Sequence, residues 1–113
     1  MNITTVERPW GSFEQFTHNE LSTVKLLYIK KGEELSLQYH NHREEFWKVV
    51  VGNPRLVIGE EVFEAHVGDE HIAKTGVKHR ISAPTDDVVV LEVATGDFDE
   101  NDEVKIEDDY NRV

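Results

Sequence analysis

Turn-forming residues interrupt this chain before any helical period can establish itself, and that confines it to short strands. Lys31-Gly32, Gly52-Asn53-Pro54, Gly59-Glu60, Val67-Gly68-Asp69, Thr75-Gly76 and Ala83-Pro84-Thr85 recur along it. Each favours a reversal of the backbone. The runs between them are rich in β-branched and aromatic residues and rarely repeat at helical spacing. Strands are therefore expected at 12–17, 23–29, 35–40, 45–51, 55–58, 61–65, 69–72, 79–83 and 88–95. Gly59-Glu60 suits a two-residue hairpin with glycine first. The pattern predicts an all-β fold, a closed or nearly closed antiparallel barrel with a jelly roll preferred. With no linker, low-complexity tract or internal repeat, one domain over residues 1–113 is expected. Only the acidic segment, about 97–113, differs in composition, and it is expected to be a solvated tail with one short helical turn.

Composition removes several classes of function. There are no cysteines, so disulfides, thiolate metal sites and cysteine nucleophiles are excluded together. A formal charge of −11 opposes nucleic-acid binding, which needs clustered Lys and Arg. The longest apolar run, Val88 to Leu91, is too short to span a bilayer, so no membrane partner is expected. The opening Met1-Asn2-Ile3-Thr4 lacks a basic segment followed by an apolar one, and a cytoplasmic location is expected.

Metal chemistry must then come from His, carboxylate or amide oxygen. Residues two apart on a strand share a face, so Gln38 and His40 are co-facial. Glu45 opens the next run and His79 opens a strand far along the chain. A barrel interior is where such separated side chains converge. Two imidazoles, a carboxylate and an amide oxygen would hold one divalent ion and leave it open to substrate. That donor set suits Zn, Mn, Fe, Co or Ni better than Ca or Mg. Among the remaining histidines, His42 is expected to be a donor supporting the site from behind its ligands.

The spacing carries a resemblance. Gly32, five residues, Gln38, one residue, His40, four residues, Glu45, six residues, Gly52 is followed by Gly68, seven residues, Gly76, two residues, His79. This resembles the two motifs of the cupin superfamily, whose members are double-stranded β-helix jelly rolls. Gln38 departs from a common His, and Lys74 from a common Pro. Arg8-Pro9-Trp10-Gly11-Ser12-Phe13, Leu35-Ser36-Leu37-Gln38-Tyr39-His40-Asn41-His42-Arg43, Glu45-Phe46-Trp47, Gly76-Val77-Lys78-His79-Arg80 and Ile106-Glu107-Asp108-Asp109-Tyr110-Asn111-Arg112 resemble the type II phosphomannose isomerase domain. That domain often ends bifunctional enzymes that also carry a nucleotidyltransferase, a part not present in this sequence. Phe46 replaces a common His and Asn111 a common Gly.

The resemblance implies a Gln, His, Glu, His zinc site and interconversion of mannose 6-phosphate and fructose 6-phosphate. It leaves the general base unidentified. Glu44 is a poor candidate because alternation turns it away from Glu45. A sugar phosphate needs cations, and Arg80 and Arg43, which can grip phosphate bidentately, are expected at the mouth of the site ahead of Lys78. Lys25 and Arg8 are further cations. Trp47 reads as a pocket or core residue and Trp10 as packing, with the N-terminal segment contributing to a homodimer. Two alternatives stay open: a non-catalytic sugar- or sugar-nucleotide-binding module, and another metal-dependent cupin enzyme such as a dioxygenase.

Overall fold

The computed structural model describes residues 1–99 and 101–109. Each expected strand is present with slightly shifted ends. The described residues form β1 (Thr4–Arg8), β2 (Gly11–Gln15), β3 (Ser22–Ile29), β4 (Leu37–Tyr39), β5 (Arg43–Val51), β6 (Arg55–Ile58), β7 (Glu61–Glu64), β8 (Glu70–Ala73), β9 (His79–Ser82), β10 (Val88–Gly96) and β11 (Val104–Glu107). No helix occurs among them, and none long and apolar enough to cross a membrane. The Gly59-Glu60 hairpin is as expected: Ile58 pairs with Glu61, and Gly59 has a φ of 62°, which glycine adopts without steric penalty.

A four-stranded sheet runs β3-β10-β5-β8 and a five-stranded sheet runs β11-β4-β9-β6-β7, with all pairings antiparallel. Their inward residues form one core: Ile29, Trp47, Val49, Val88 and Val90 from the first sheet pack with Leu56 and Ile81 from the second. Leu56 and Ile81 are fully buried, each burial stabilising by about 1.5–3 kcal/mol. The arrangement is the all-β jelly roll expected of a cupin double-stranded β-helix.

The β1–β2 hairpin forms a small sheet of its own. Phe16, just after it, stacks on Phe46 with ring centroids 5.1 Å apart. Lys48 Nζ joins it to β5 and β8, lying 2.9 Å from Glu14 and 3.2 Å from Glu70. Trp10, at the hairpin tip, is 73% exposed.

The acidic segment corrects the sequence reading. It contains a strand where a helical turn was expected: β11 pairs with β4 through Val104–Tyr39 and Lys105–Gln38. Its alternating Val104-Lys105-Ile106-Glu107 is a strand pattern, masked by the surrounding charge. Gly96 lets the chain leave β10 at a tight approach. Its φ is 106°, and a Cβ there would lie 2.6 Å from the carbonyl oxygen of His42. Glu100, and Tyr110, Asn111 and Arg112 of the closing motif, lie outside the described residues.

Candidate metal centre

Three side chains distant in sequence meet inside the barrel. His40 follows β4, Glu45 lies in β5 and His79 opens β9, and all three are buried. One donor atom from each lies within 4.8 Å of the other two. His40 Nε2 is 3.3 Å from Glu45 Oε2, and His79 Nε2 is 3.1 Å from Glu45 Oε1. The imidazole centroids are 4.9 Å apart, and the Trp47 ring meets His79 edge-on at 5.2 Å.

Hydrogen bonds behind the rings fix their tautomers. His40 Nδ1 lies 2.7 Å from the Asp102 carbonyl, and His79 Nδ1 lies 3.0 Å from the Val77 carbonyl. A carbonyl oxygen can only accept, so each Nδ1 carries a hydrogen, and in the neutral ring Nε2 presents a lone pair. Arg43 Nη2, which can only donate, lies 3.3 Å from His40 Nε2 and agrees with that assignment. His79 Nε2 is buried and makes no hydrogen bond among the described residues. A buried, unpaired lone pair facing a carboxylate is costly without a cation. Two imidazole lone pairs and a carboxylate fit a transition metal of the zinc type, so His40, Glu45 and His79 form a group able to hold one ion.

The turn before β9 serves both histidines. Gly76 N–H donates to the His40 carbonyl at 2.7 Å, and the next residue, Val77, accepts from His79. Gln38 stands opposite His79 in the β4–β9 register, and its Oε1 accepts from Ser36 Oγ at 2.6 Å. Gln38 and Glu45 line a cavity of about 200 Å³ whose walls also carry Lys25, Arg43, Glu92 and Lys105, with Leu27 and Leu35 on the apolar side.

Charges in this cavity are mutually adjusted. Burial opposes ionisation of Glu45, but the His40 and His79 imidazoles beside it hold its carboxyl well below the usual range. Burial and then the negative Glu45 push Glu92 up to about 7. Burial works against charging His40, yet the Glu45 carboxylate raises its pKa overall. Trp47 Nε1–H donates to Glu92 Oε1 at 3.4 Å. The Phe98 ring has the Arg43 guanidinium 4.2 Å away and the Lys25 ammonium 4.3 Å away, a geometry in which ring quadrupole and cation attract.

A family model described as Mannose-6-phosphate isomerase C-terminal matches residues 1–109. The chain belongs to this family. The mannose-1-phosphate guanylyltransferase ManC of Salmonella typhimurium is 36% identical over 110 residues, covering 96% of this chain and 23% of the relative. The chain thus spans about a quarter of the length of the curated relatives it matches. A Klebsiella pneumoniae protein with a double-stranded β-helix domain superposes with a TM-score of 0.68 at 22% identity, covering 82% of this chain and 80% of that one. A cupin protein from Bacteroides fragilis gives 0.61 at 22% identity over 66% and 65%. These solved structures share the fold.

Within this family member the expected phosphate residues are dispersed. Arg43 is buried: its Nε lies 3.2 Å from Glu45 Oε2, and its Nη1 donates to the Asp99 carbonyl at 3.1 Å. Being two residues from Glu45, it points inward beside the histidines and not out at a mouth. Arg80, adjacent to His79 on β9, points the other way. It donates to the Leu35 carbonyl at 2.8 Å and pairs with Glu34 and Glu107, each at 3.2 Å. Lys78 pairs with Glu60 at 3.2 Å on the surface. His42 is exposed, and its backbone N–H donates to Asp102 Oδ2 at 2.9 Å. The orienting contact expected of His42 comes from Asp102. Glu44 does turn away from Glu45, toward the Met1 amino group at 2.7 Å.

Sequence reasoning missed Glu92, Lys105 and Asp102. Glu92 carried a signal, a lone carboxylate in the apolar run Val88-Val89-Val90-Leu91-Glu92-Val93-Ala94. Lys105 and Asp102 carried none, because only β11 pairing brings them to the site.

Proposed function

We propose that this chain is a zinc-dependent aldose–ketose isomerase domain acting on mannose 6-phosphate and fructose 6-phosphate. The observation that carries the reading is the buried His40–Glu45–His79 group, whose Glu45 lines a polar cavity, in a member of this family. Gln38, next to His79 in register, serves as a fourth ligand through its amide oxygen. A divalent ion held there supplies positive charge against the oxygens of an open-chain sugar. The isomerisation moves a proton from C2 to C1 and the hydroxyl proton from O2 to O1, as the carbonyl passes from C1 to C2. Glu92 is the carboxyl placed to carry that proton, being buried, on the cavity wall and outside the ligand set. Lys25 and Lys105, which line the cavity with Arg43, take the phosphoryl group in place of Arg80 and Lys78, Lys105 exchanging its 2.7 Å contact with Glu103 for it.

A coupled assay with mannose 6-phosphate tests the reading. Turnover should appear with zinc and vanish with chelator, and no turnover in the zinc-replete protein would overturn it. A second reading is a sugar- or sugar-nucleotide-binding module, in which the same polar cavity holds a ligand without chemistry. It predicts ligand binding without turnover. Iron retained on purification together with oxygen uptake would instead indicate a dioxygenase.

The same proposal places the protein in the cytoplasm as a homodimer. Val24, Leu26 and Tyr28 are exposed on the outward face of edge strand β3, and covering them needs a partner surface. Light scattering should give twice the chain mass, and Leu26→Glu should reduce it to one chain.

A further inference from the structure

Asp102 makes three contacts at the metal centre from a segment that its composition marks as tail. Its carbonyl accepts from His40 Nδ1–H at 2.7 Å, its Oδ1 accepts from Asn41 N–H at 2.9 Å, and its Oδ2 accepts from His42 N–H at 2.9 Å. One residue therefore grips the ring of a metal-binding side chain and the backbone that follows it. A carboxylate bridging two successive N–H groups is a strong, charge-assisted arrangement. Burial effects on it are secondary, and the Asn41 hydrogen bond leads in holding its pKa below the ordinary value.

The turn presenting Asp102 is fixed from within and from the site. Asp102 N–H donates to the Asp99 carbonyl at 2.9 Å, and Asn101 N–H donates to Asp99 Oδ1 at 2.9 Å. The same Asp99 carbonyl takes Arg43 Nη1, whose Nε reaches Glu45. Gly96 permits the close passage past residue 42 that lets the connection return over the site. The connection from β10 to β11 is thus tied to His40 and, through Arg43, to Glu45.

We propose that Asp102 is the positioning residue of the metal centre, its carboxylate holding the β10–β11 connection so that its carbonyl fixes the His40 ring with Nε2 toward the ion. The proposal rests on the metal-binding reading above. Side-chain replacement leaves the carbonyl in the chain but frees it to move, so the effect should fall on metal affinity before fold stability.

Cobalt(II) titration, followed by its d–d absorption, tests this on the full chain. Asp102→Ala should weaken cobalt binding by about 10- to 100-fold, the range for residues that orient ligands. Asp102→Asn, which keeps one acceptor oxygen, should recover part of the loss. Far-ultraviolet circular dichroism should match the wild type in both. Wild-type cobalt affinity and spectrum in Asp102→Ala would overturn the proposal, as would a loss that merely tracks unfolding. Nitrogen-15 spectra of the metal-free protein separate the two readings. A protonated His40 Nδ1 in the wild type that is lost in Asp102→Ala supports the clamp even if cobalt binds neither protein. An unchanged His40 signal overturns the clamp while leaving metal binding intact.

Discussion

The inward strands of this barrel change character along their length. At one end Ile29, Val49, Val88, Val90 and Ile81 pack into a dry core. At the other, the same β3, β5, β10 and β9 present Lys25, Glu45, Glu92 and His79. Alternation fixes which face a residue occupies, and that face is the same at both ends. What differs is the neighbour across the barrel: apolar side chains meet apolar ones, and ionisable groups meet ionisable groups. The apolar end supplies the stability, and the ionisable end holds desolvated charge that helps folding little.

That contrast can be broken at either end. The largest effect is expected from His79→Ala, which should lower zinc affinity by more than about 100-fold, beyond the range for orienting partners, while thermal denaturation of the metal-free protein changes little. Equilibrium dialysis checks the first part and calorimetry the second. Glu92→Gln comes next. It should cut mannose 6-phosphate turnover by about 10²- to 10⁴-fold with zinc stoichiometry unchanged, so equal losses of both would remove Glu92 from the proton step. At the dry end Ile81→Ala should cost about 2–5 kcal/mol of stability in urea melts and leave the zinc affinity of the folded fraction intact. The smallest effect belongs to Arg80→Ala, which faces away from the cavity. It should lower stability by about 1 kcal/mol and leave KM for mannose 6-phosphate unchanged. A raised KM would return Arg80 to the phosphate site.

The legible parts of the molecule were those written locally. Gly59-Glu60 specifies its own hairpin, and the strands flanking it are decided by β-branched runs and turn residues. His40, Glu45 and His79 stood out because their spacing follows two strand–turn units. Arg80 faces away from the cavity, and its neighbour His79 already fixes that face by alternation. Arg43, two residues from Glu45 on one strand, shares the inner face instead of standing at the mouth. Asp102 and Lys105 were a different matter. Their roles depend on β11 pairing with β4, more than sixty residues away in sequence, and no local pattern encodes that register. The exposed charge of the segment also made a solvated reading the natural one.

Both rings at the metal centre are steered by peptide carbonyls, those of Val77 and Asp102. Such acceptors carry no formal charge, do not titrate, and cannot be deleted by exchanging a side chain. An imidazole backed by a neutral dipole is also a weaker electron donor than one backed by an anionic oxygen. An ion seated on His40 and His79 would therefore surrender less of its charge to the protein and keep more for polarising whatever enters the cavity.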